Sequence, residues 1–310
     1  MSAVLGAPLA VERRAVFGAV RLGMGRRARL PEADAFLVFG VAGGVGADVR
    51  PGDLVVAPDP SAPMLAGALR RLGSTVHVGP IRSSDHLVTG AQRRRIAATG
   101  ALAVDMETAS LRAQAGDRPF AAVRVVTDSV GAPLWSPGTV LRGVRGLQNL
   151  RTAAPALRQW AAATGKREVL LAAPRSFCAG VLREKFPAPH GPRREDICSA
   201  TTNRQQAVRA IARSCDRVLV VGSGNSATSL RLVEVAEREG APAHLVDDAG
   251  EVDLAWLAGA RTVGITAGAS APPHLVDEVL AGLAGLGPVT VRETSVGEEN
   301  IRFTLPKEVS

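Results

Sequence analysis

Two of the three cysteines in the chain lie close together near its middle. Cys178 follows the apolar run Val169–Ala173, and Cys198 precedes a helix-like stretch that leads to the apolar run Val218–Gly222. Cysteines in loops at the ends of buried strands are candidate ligands for a metal ion or a cluster. Cys215, just ahead of a predicted strand, is more typical of a buried structural thiol.

Carboxylates in the first half offer a second kind of chemistry. Glu107 lies in the segment Val104–Ala109, where an acidic pair flanks Met106 after an apolar run, and Asp128 follows the apolar run Phe120–Val126. A carboxylate at the end of a buried strand is well placed for acid–base work. The alternative is that each of these carboxylates only caps the helix that follows.

Two glycine-containing segments could bind anions. Gly23–Arg27 places two glycines beside arginines, so that backbone N–H groups could approach an anion, although a tight turn explains the pattern equally well. The segment Gly222–Ser229 precedes a predicted helix and matches the spacing G-x-G-x-x-A, with Asp247 twenty positions after Ala227. On spacing alone, an NAD site is one interpretation of this second segment.

The composition narrows the classes of partner. The formal charge is +8, but the arginines are scattered, and the densest cluster, Arg93–Arg95, is predicted to be a solvated helix face. Tyrosine is absent and aromatic residues make up 3% of the chain, which argues against a stacking surface for single-stranded nucleic acid. The sparse, odd number of cysteines, the lack of a signal-peptide pattern and the lack of a membrane-spanning run predict a soluble cytoplasmic protein.

The first half shows strands that are apolar throughout, which predicts a sheet covered on both faces and hence α/β architecture. The predicted strands are Phe36–Phe39, which ends at the glycine-rich segment Gly40–Gly44, then Asp53–Ala57 and Phe120–Val126. The opening segment Val4–Pro8 is a poor strand candidate, because glycine and proline interrupt it.

The second half alternates strands and helices throughout, which predicts a parallel sheet. Its predicted strands are 168–173, 217–221, 243–246 and 262–265, and its predicted helices are 205–212, 230–239 and 273–286. With 310 residues, two domains are expected, and we place them at residues 1–165 and 166–310.

The motifs of the first half, taken together and in order, resemble the nucleoside phosphorylase and nucleosidase superfamily, most closely its hopanoid-associated phosphorylase branch. The resemblance covers residues 1–150. It rests on the segments Gly23–Gly25, Phe39–Gly44, Arg50–Val56, Ser84–His86, Val104–Ala109 and Arg124–Asp128.

This resemblance implies a three-layer α/β domain that cleaves the N-glycosidic bond of a nucleoside-like substrate. Glu107 would hold the ribose hydroxyls, Met106 would pack on the sugar, and Asp128 would protonate or hydrogen-bond the leaving base. Gly23 and Gly25 would belong to a loop that holds phosphate as co-substrate. Bond cleavage through an oxocarbenium-like state requires such a carboxylate and a proton donor.

The motifs of the second half resemble the LytB/IspH family, which comprises 4-hydroxy-3-methylbut-2-enyl diphosphate reductases of isoprenoid biosynthesis. The resemblance implies a [4Fe-4S] cluster and an electron-donor protein of ferredoxin or flavodoxin type. It rests on the segments Pro174–Val181, Asp196–Gln205, Val220–Ser226, Arg231–Glu234 and Gly264–Pro272.

By this resemblance Cys178 and Cys198 are the first and last cluster ligands of the family. The family's middle cysteine belongs to a long central section that is absent here, along with the substrate-facing histidines and the acidic proton donor. One α/β lobe of the three would remain, so reductase activity is predicted to be impaired. In one alternative, a homodimer supplies further cluster ligands across its interface.

The same resemblance assigns the glycine loop to a diphosphate rather than to NAD. The family's Ser-Ser-Asn falls on Ser226, Ala227 and Thr228, next to Asn225, and a further serine of the family is retained as Ser270. The alternative to a reductase is a non-catalytic lobe that binds phosphates, with activity confined to the first domain.

Overall fold

The structure is a computed structural model that describes residues 1–129, 138–173, 195–269 and 271–295, with only the backbone described for 195–201 and 295. The chain forms two compact units. The first comprises Met1–Gly165, Val252–Gly259 and Ala281–Gly287, and the second comprises the other described residues. Each unit is built on its own β-sheet, which confirms the predicted α/β class.

The strands, in chain order, are β1 (Ala3–Ala7), β2 (Val20–Arg21), β3 (Ala35–Gly44), β4 (Leu54–Val56), β5 (Val76–Val78), β6 (Ile81–Ser83), β7 (Ala103–Asp105), β8 (Phe120–Asp128), β9 (Arg167–Ala173), β10 (Arg217–Val221), β11 (Ala243–Val246), β12 (Thr262–Ala267) and β13 (Val289–Ser295). The helices are α1 (Ala10–Arg13), α2 (Ala62–Arg71), α3 (Gly90–Ala97), α4 (Thr108–Ala115), α5 (Thr139–Ala163), α6 (Glu195–Ala212), α7 (Ala227–Arg238), α8 (Leu254–Leu257) and α9 (Pro273–Gly285), and a 3₁₀ turn covers Gly25–Arg27.

The sheet of the first unit is mixed. Its strand order is β2-β1-β3-β8-β4-β5, and β7 pairs with β3 and with β6. β3 and β8 run parallel from Phe36 opposite Phe120 to Gly43 opposite Asp128, with a bulge between Ala42 and Gly43. β4 is antiparallel to β8, and β7 is antiparallel to the last residues of β3.

Two sequence predictions for this sheet were wrong. The glycines after Phe39 do not end the strand, because β3 continues to Gly44 between its neighbours. The opening segment does form a strand, since β1 is paired in parallel with both β2 and β3. Gly6 is needed there for space: a Cβ at this position would lie 2.6 Å from Leu22 Cδ1.

Apolar side chains cover both faces of this sheet. Successive residues of β3 from Phe36 to Phe39 are all buried, and successive side chains of a strand point to opposite faces. Trp160 of α5 is fully buried, and its indole N–H donates to Ser61 Oγ at 2.9 Å. A buried indole requires such a partner, so this contact fixes α5 against the start of α2.

The second unit has a five-stranded sheet with the order β11-β10-β12-β9-β13. All of its neighbouring strands pair in parallel, as predicted. The edge strand β13 was not predicted, because residues 290–293 are exposed and polar or charged except for Val291, and so lack an apolar run. Exposed charges are a common property of edge strands.

Helix α6 begins ten residues before the predicted start at Gln205 and includes Cys198. The placement of Cys198 in a loop was therefore wrong. Residues 195–212 contain neither glycine nor proline, so nothing in them interrupts a helix once it has begun. Among the described residues, no helix is both long enough and apolar enough to cross a bilayer.

Candidate active site

A cavity of about 200 Å³ opens in the first unit, at the edge of the sheet where β1, β3 and β8 end. β3 and β8 are parallel neighbours, so their carboxyl ends meet, and β7 brings its own last residues to the end of β3. Loops at this edge are where open α/β sheets commonly bind ligands. The lining residues are Pro8, Leu9, Glu12, Met24, Val41, Ala42, Gly43, Leu87, Val104, Asp105, Met106, Glu107, Thr127 and Asp128.

Glu107 joins two of the predicted motifs at this cavity. Its Oε1 accepts a hydrogen bond from the Gly25 N–H at 2.8 Å, and its Oε2 lies 3.9 Å from Arg124 Nη2. Gly25 has φ +54°, a conformation that favours glycine. The structure thus brings Gly25, Met106, Glu107 and Asp128 together, whereas Gly23 does not line the cavity.

Arg124 is the buried cation behind Glu107, and its side chain is fully inaccessible. It forms an ion pair with Asp105 at 2.7 Å and donates to Thr108 Oγ1 at 2.9 Å. Asp105 also accepts from Ser83 Oγ at 2.6 Å and from the Thr108 N–H at 3.1 Å. The contact with the Thr108 N–H caps the start of α4, and the ion pair with Arg124 gives Asp105 a place in the charge network as well. A buried cation is stable only with such partners.

Glu12 is a third carboxyl group in the cavity, and sequence reasoning missed it. It is 2% exposed, and it accepts from the Leu9 N–H at 2.8 Å and from the Val41 N–H at 2.9 Å. Burial raises the pKa of Glu12, although these two hydrogen bonds and the positive charge of Arg124 oppose the rise. A signal was present: had Val4–Pro8 been accepted as a strand, Glu12 would have stood as a carboxylate just beyond its end.

Asp128 forms a buried ion pair with Arg93 of α3. Both residues are buried, and the contact joins Arg93 Nη2 to Asp128 Oδ2. The prediction of a solvated arginine face was therefore wrong for Arg93, although Arg94 and Arg95 are exposed. A triplet of arginines does not reveal which member turns inward, because that depends on the packing of α3 against the sheet.

The Ser84–His86 segment, which also carried the resemblance, lies at the surface. Asp85 pairs with Arg26 at 2.9 Å and with His86 at 2.6 Å. The hydrogen bond that the His86 ring donates to the Asp85 carboxylate raises the pKa of His86. Exposed pairs of this kind contribute little to stability. Of the residues just after this segment, Leu87 lines the cavity.

In the second unit, the glycine loop joins β10 to α7. Ser226 caps α7, and its Oγ accepts from the Ser229 N–H at 3.3 Å. Asn225 and Ala227 are exposed, and Thr228 is half-buried. Ser270, the remaining predicted diphosphate contact, lies outside the described residues.

The cysteines test whether a [4Fe-4S] cluster fits. Cys178 lies outside the described residues, and only the backbone of Cys198 is described. Cys215 packs against the apolar cluster beneath α6, and burial raises the pKa of its thiol to about 12. Such a thiol is a poor cluster ligand, since ligation requires the thiolate. Two cysteines remain, and this donor set does not fit the cluster within one chain. No group of three or more metal-ligating side chains occurs in the described part of the chain.

Comparison with known proteins identifies part of the chain. Residues 177–284 match the LytB protein family. The predicted resemblance of the second half is thereby confirmed. Over 128 residues the chain is 57% identical to the 4-hydroxy-3-methylbut-2-enyl diphosphate reductase of Stenotrophomonas maltophilia and 56% identical to that of Serratia proteamaculans. The match covers 41% of this chain and 40% of each relative, so the chain spans well under half the length of those reductases.

Among solved structures, the chain is similar to 5′-methylthioadenosine/S-adenosylhomocysteine nucleosidase from Helicobacter pylori. The sequence identity is 15%, the similarity covers 51% of this chain and 97% of that chain, and the TM-score is 0.42. A likeness at this level supports no inference about activity, so the chemistry of the first unit has to be argued from its own residues.

Proposed function

We propose that the first unit cleaves the N-glycosidic bond of a nucleoside-like substrate. The observation that carries this proposal is the position of Glu107, held by the Gly25 N–H and Arg124 in one cavity with Met106 and Asp128. These are the residues to which the sequence motifs assign sugar and base contacts. Gly25 and Glu107, which share a hydrogen bond, are 82 positions apart in the sequence, so only the fold brings them together.

The balance of charge at the cavity suits this reaction. Among the described residues, four carboxyl groups line the cavity, while two guanidinium groups, those of Arg93 and Arg124, pair with them. An excess of carboxylates stabilises the positive charge that develops on the sugar as the glycosidic bond breaks. Because these groups are buried, water screens them poorly and the stabilisation is correspondingly stronger.

Each side chain then has a distinct role. Glu107 accepts hydrogen bonds from sugar hydroxyls with the lone pairs that Gly25 leaves free. Met106 supplies an apolar surface for the sugar. Asp128 hydrogen-bonds the departing base, which leaves with the electron pair of the N-glycosidic bond and takes up a proton from solvent water. Glu12, whose pKa burial raises, is the general base that removes a proton from the attacking water.

Water is the acceptor that these contacts favour over phosphate. Within the loop predicted to bind phosphate, the Gly25 N–H donates to Glu107 and Arg26 pairs with Asp85. A phosphate would have to displace those partners and would enter a cavity rich in carboxylates. Phosphorolysis is the second candidate, and the resemblance of the loop to the phosphorylases is what favours it.

Base release from a panel of purine nucleosides, including 5′-methylthioadenosine, tests the proposal. We expect turnover by the full chain that does not require phosphate, and a loss of at least about 100-fold in Glu107→Gln and Asp128→Asn. Glu32→Gln removes an exposed carboxylate and is the matched control. Strict dependence on phosphate would identify phosphorolysis, and the absence of any base release would refute the proposed activity.

An apolar substituent on the nucleoside would suit the mouth of the cavity, where Met24 is 49% and Leu87 54% exposed. This is the kind of substrate that a role in hopanoid metabolism requires. The kcat/KM for 5′-alkylthioadenosines should therefore rise as the alkyl chain lengthens, and should rise less in Met24→Ser. Equal values across the series would argue against a terpenoid-bearing substrate.

For the LytB segment, we propose a lobe that retains a diphosphate site at Gly222–Ser229 but has little or no reductase activity by itself. The exposed N-terminus of α7 supports the first part, because free backbone N–H groups at a helix start favour anions. The unsuitable thiol of Cys215 supports the second part. A reductase that did function would require an electron donor of ferredoxin or flavodoxin type and further cluster ligands.

Two measurements on the full chain separate these alternatives. Inorganic pyrophosphate should raise the unfolding temperature of the wild type and do so less for Ser226→Ala. Iron and acid-labile sulfide should stay well below four per chain after anaerobic reconstitution. Four irons per chain, together with turnover of 4-hydroxy-3-methylbut-2-enyl diphosphate in the presence of a reducing partner, would overturn the proposal of an inactive reductase.

A further inference from the structure

Arg93 occupies a place that neither the sequence motifs nor the roles above explain. It belongs to α3, which the sequence presents as a basic, solvated helix, yet its guanidinium is buried against Asp128. Burial of an arginine is unfavourable unless it gains a specific partner. Among the described residues its Nε has no partner, so the pair with Asp128 is what compensates the buried charge.

The sheet is shaped to admit this side chain. Gly43 lies opposite Asp128 in the β3–β8 register, at the bulge in β3. A Cβ on Gly43 would fall well inside van der Waals distance of Arg93 Nη2. Gly43 does not have a positive φ, so its backbone does not require glycine. The space that the guanidinium needs is therefore the reason for a glycine at this position.

We propose that Arg93 is a positioning residue for the reaction: it reaches past Gly43 and holds the Asp128 carboxylate in the orientation in which it meets the leaving base. The inference rests on the proposed glycosidic cleavage. Asp128 is the last residue of β8, and its carboxylate could adopt other rotamers. The ion pair with Arg93 of α3 restricts it to one of them. Misplacement of a catalytic group by 1 Å can reduce a rate by about 100-fold.

Four variants of the full chain test this role. Arg93→Gln removes the charge, Arg93→Lys keeps it with a shorter reach, Gly43→Ala displaces the guanidinium without changing either partner, and Arg94→Gln is the exposed neighbouring control. We expect kcat for base release to fall about 10- to 100-fold in the first and third, with KM changed less than about threefold. The lysine variant should recover part of the loss, and the control should match the wild type.

The separate effects on kcat and KM, and the partial recovery in Arg93→Lys, distinguish positioning from a purely structural role. If Arg93 only stabilised the fold, Arg93→Gln and Gly43→Ala would lower the unfolding midpoint without a selective fall in kcat. A kcat within threefold of the wild type in Arg93→Gln would overturn the inference while leaving the proposed activity intact.

If the wild type releases no base, the proposed activity is refuted, and the ion pair of Arg93 and Asp128 is then tested by its contribution to stability. In urea unfolding, Arg93→Gln should lower the midpoint by less than half as much in an Asp128→Asn background as it does in the wild type. Equal shifts in the two backgrounds would show that the two side chains are not coupled and would overturn the inference that Arg93 holds Asp128.

Discussion

Asp59 makes the stability of the first unit depend on pH. Its Oδ1 accepts from the Ser61 N–H at 2.8 Å and from Ser61 Oγ at 2.6 Å, whereas Oδ2 is buried without a partner among the described residues. Burial raises the pKa of Asp59 from 3.8 to about 6, even though the hydrogen bonds from Ser61 and the charge of Arg112 oppose the rise. A carboxyl group with a raised pKa destabilises the fold once it ionises.

The sign and size of the effect follow from linkage. Between pH 3.8 and about pH 6 the folded chain binds more protons at Asp59 than the unfolded chain does, so stability falls as pH rises through that window. The full difference, at about 1.4 kcal/mol per pH unit, is of the order of 3 kcal/mol. Between pH 4.5 and pH 8 the loss attributable to this group is about 2 kcal/mol.

Asp59→Asn removes the titration and keeps the Oδ1 acceptor. The free energy of unfolding of this variant, minus that of the wild type, should rise by about 2 kcal/mol between pH 4.5 and pH 8. The variant thus gains stability relative to the wild type as the pH rises. A constant offset from the buried amide group does not affect this difference. Urea unfolding measures this difference. Tryptophan fluorescence follows the unfolding, since the Trp160 indole is hydrogen-bonded to Ser61, the residue that also bonds Asp59. Asp117→Asn, at an exposed position, is the control and should follow the wild type.

A pH-independent difference between Asp59→Asn and the wild type would refute the reasoning. It would mean that water or a rearranged side chain solvates Oδ2 in solution, so that burial does not raise the pKa of Asp59.

Two further predictions concern close packing and thiol chemistry. Gly40→Ala should lower the free energy of unfolding by about 1–3 kcal/mol and reduce base release, because a Cβ there would lie 2.5 Å from Arg124 Nη1 and 2.9 Å from Glu12 Oε1. Urea unfolding and a kinetic assay measure the two effects. A variant with unchanged stability and activity would contradict the described cavity. The second prediction uses a chain in which the other two cysteines are replaced by serine. Burial raises the pKa of the Cys215 thiol from 9.0 to about 12. At pH 8, Cys215 should therefore react with a disulfide reagent about 1,000-fold more slowly in the folded chain than in the unfolded chain. Similar rates in the two states would show that the thiol is accessible.

The class of both units and most elements of the second unit could be predicted from the sequence. Strands 217–221 and 243–246 have the predicted bounds, because strands buried in a parallel sheet appear as short continuous apolar runs between turn residues. The LytB resemblance was equally accessible, since long local motifs carry it. The sequence also singled out Met106, Glu107 and Asp128, which line the cavity of the first unit, because each follows an apolar run of the sequence.

The other residues of the cavity became apparent only once the fold was known. Glu12 was missed because β1 contains a glycine and is followed by a proline, and the pairing of β1 with β2 and β3 overrides those local preferences. Arg93 differs from Arg94 only in the direction it faces once α3 has packed against the sheet. Burial, ion pairing and the space left by a glycine depend on residues far apart in the chain. Such long-range contacts cannot be predicted from a short segment of the sequence. They set both the charge of the cavity and the geometry of its carboxylates.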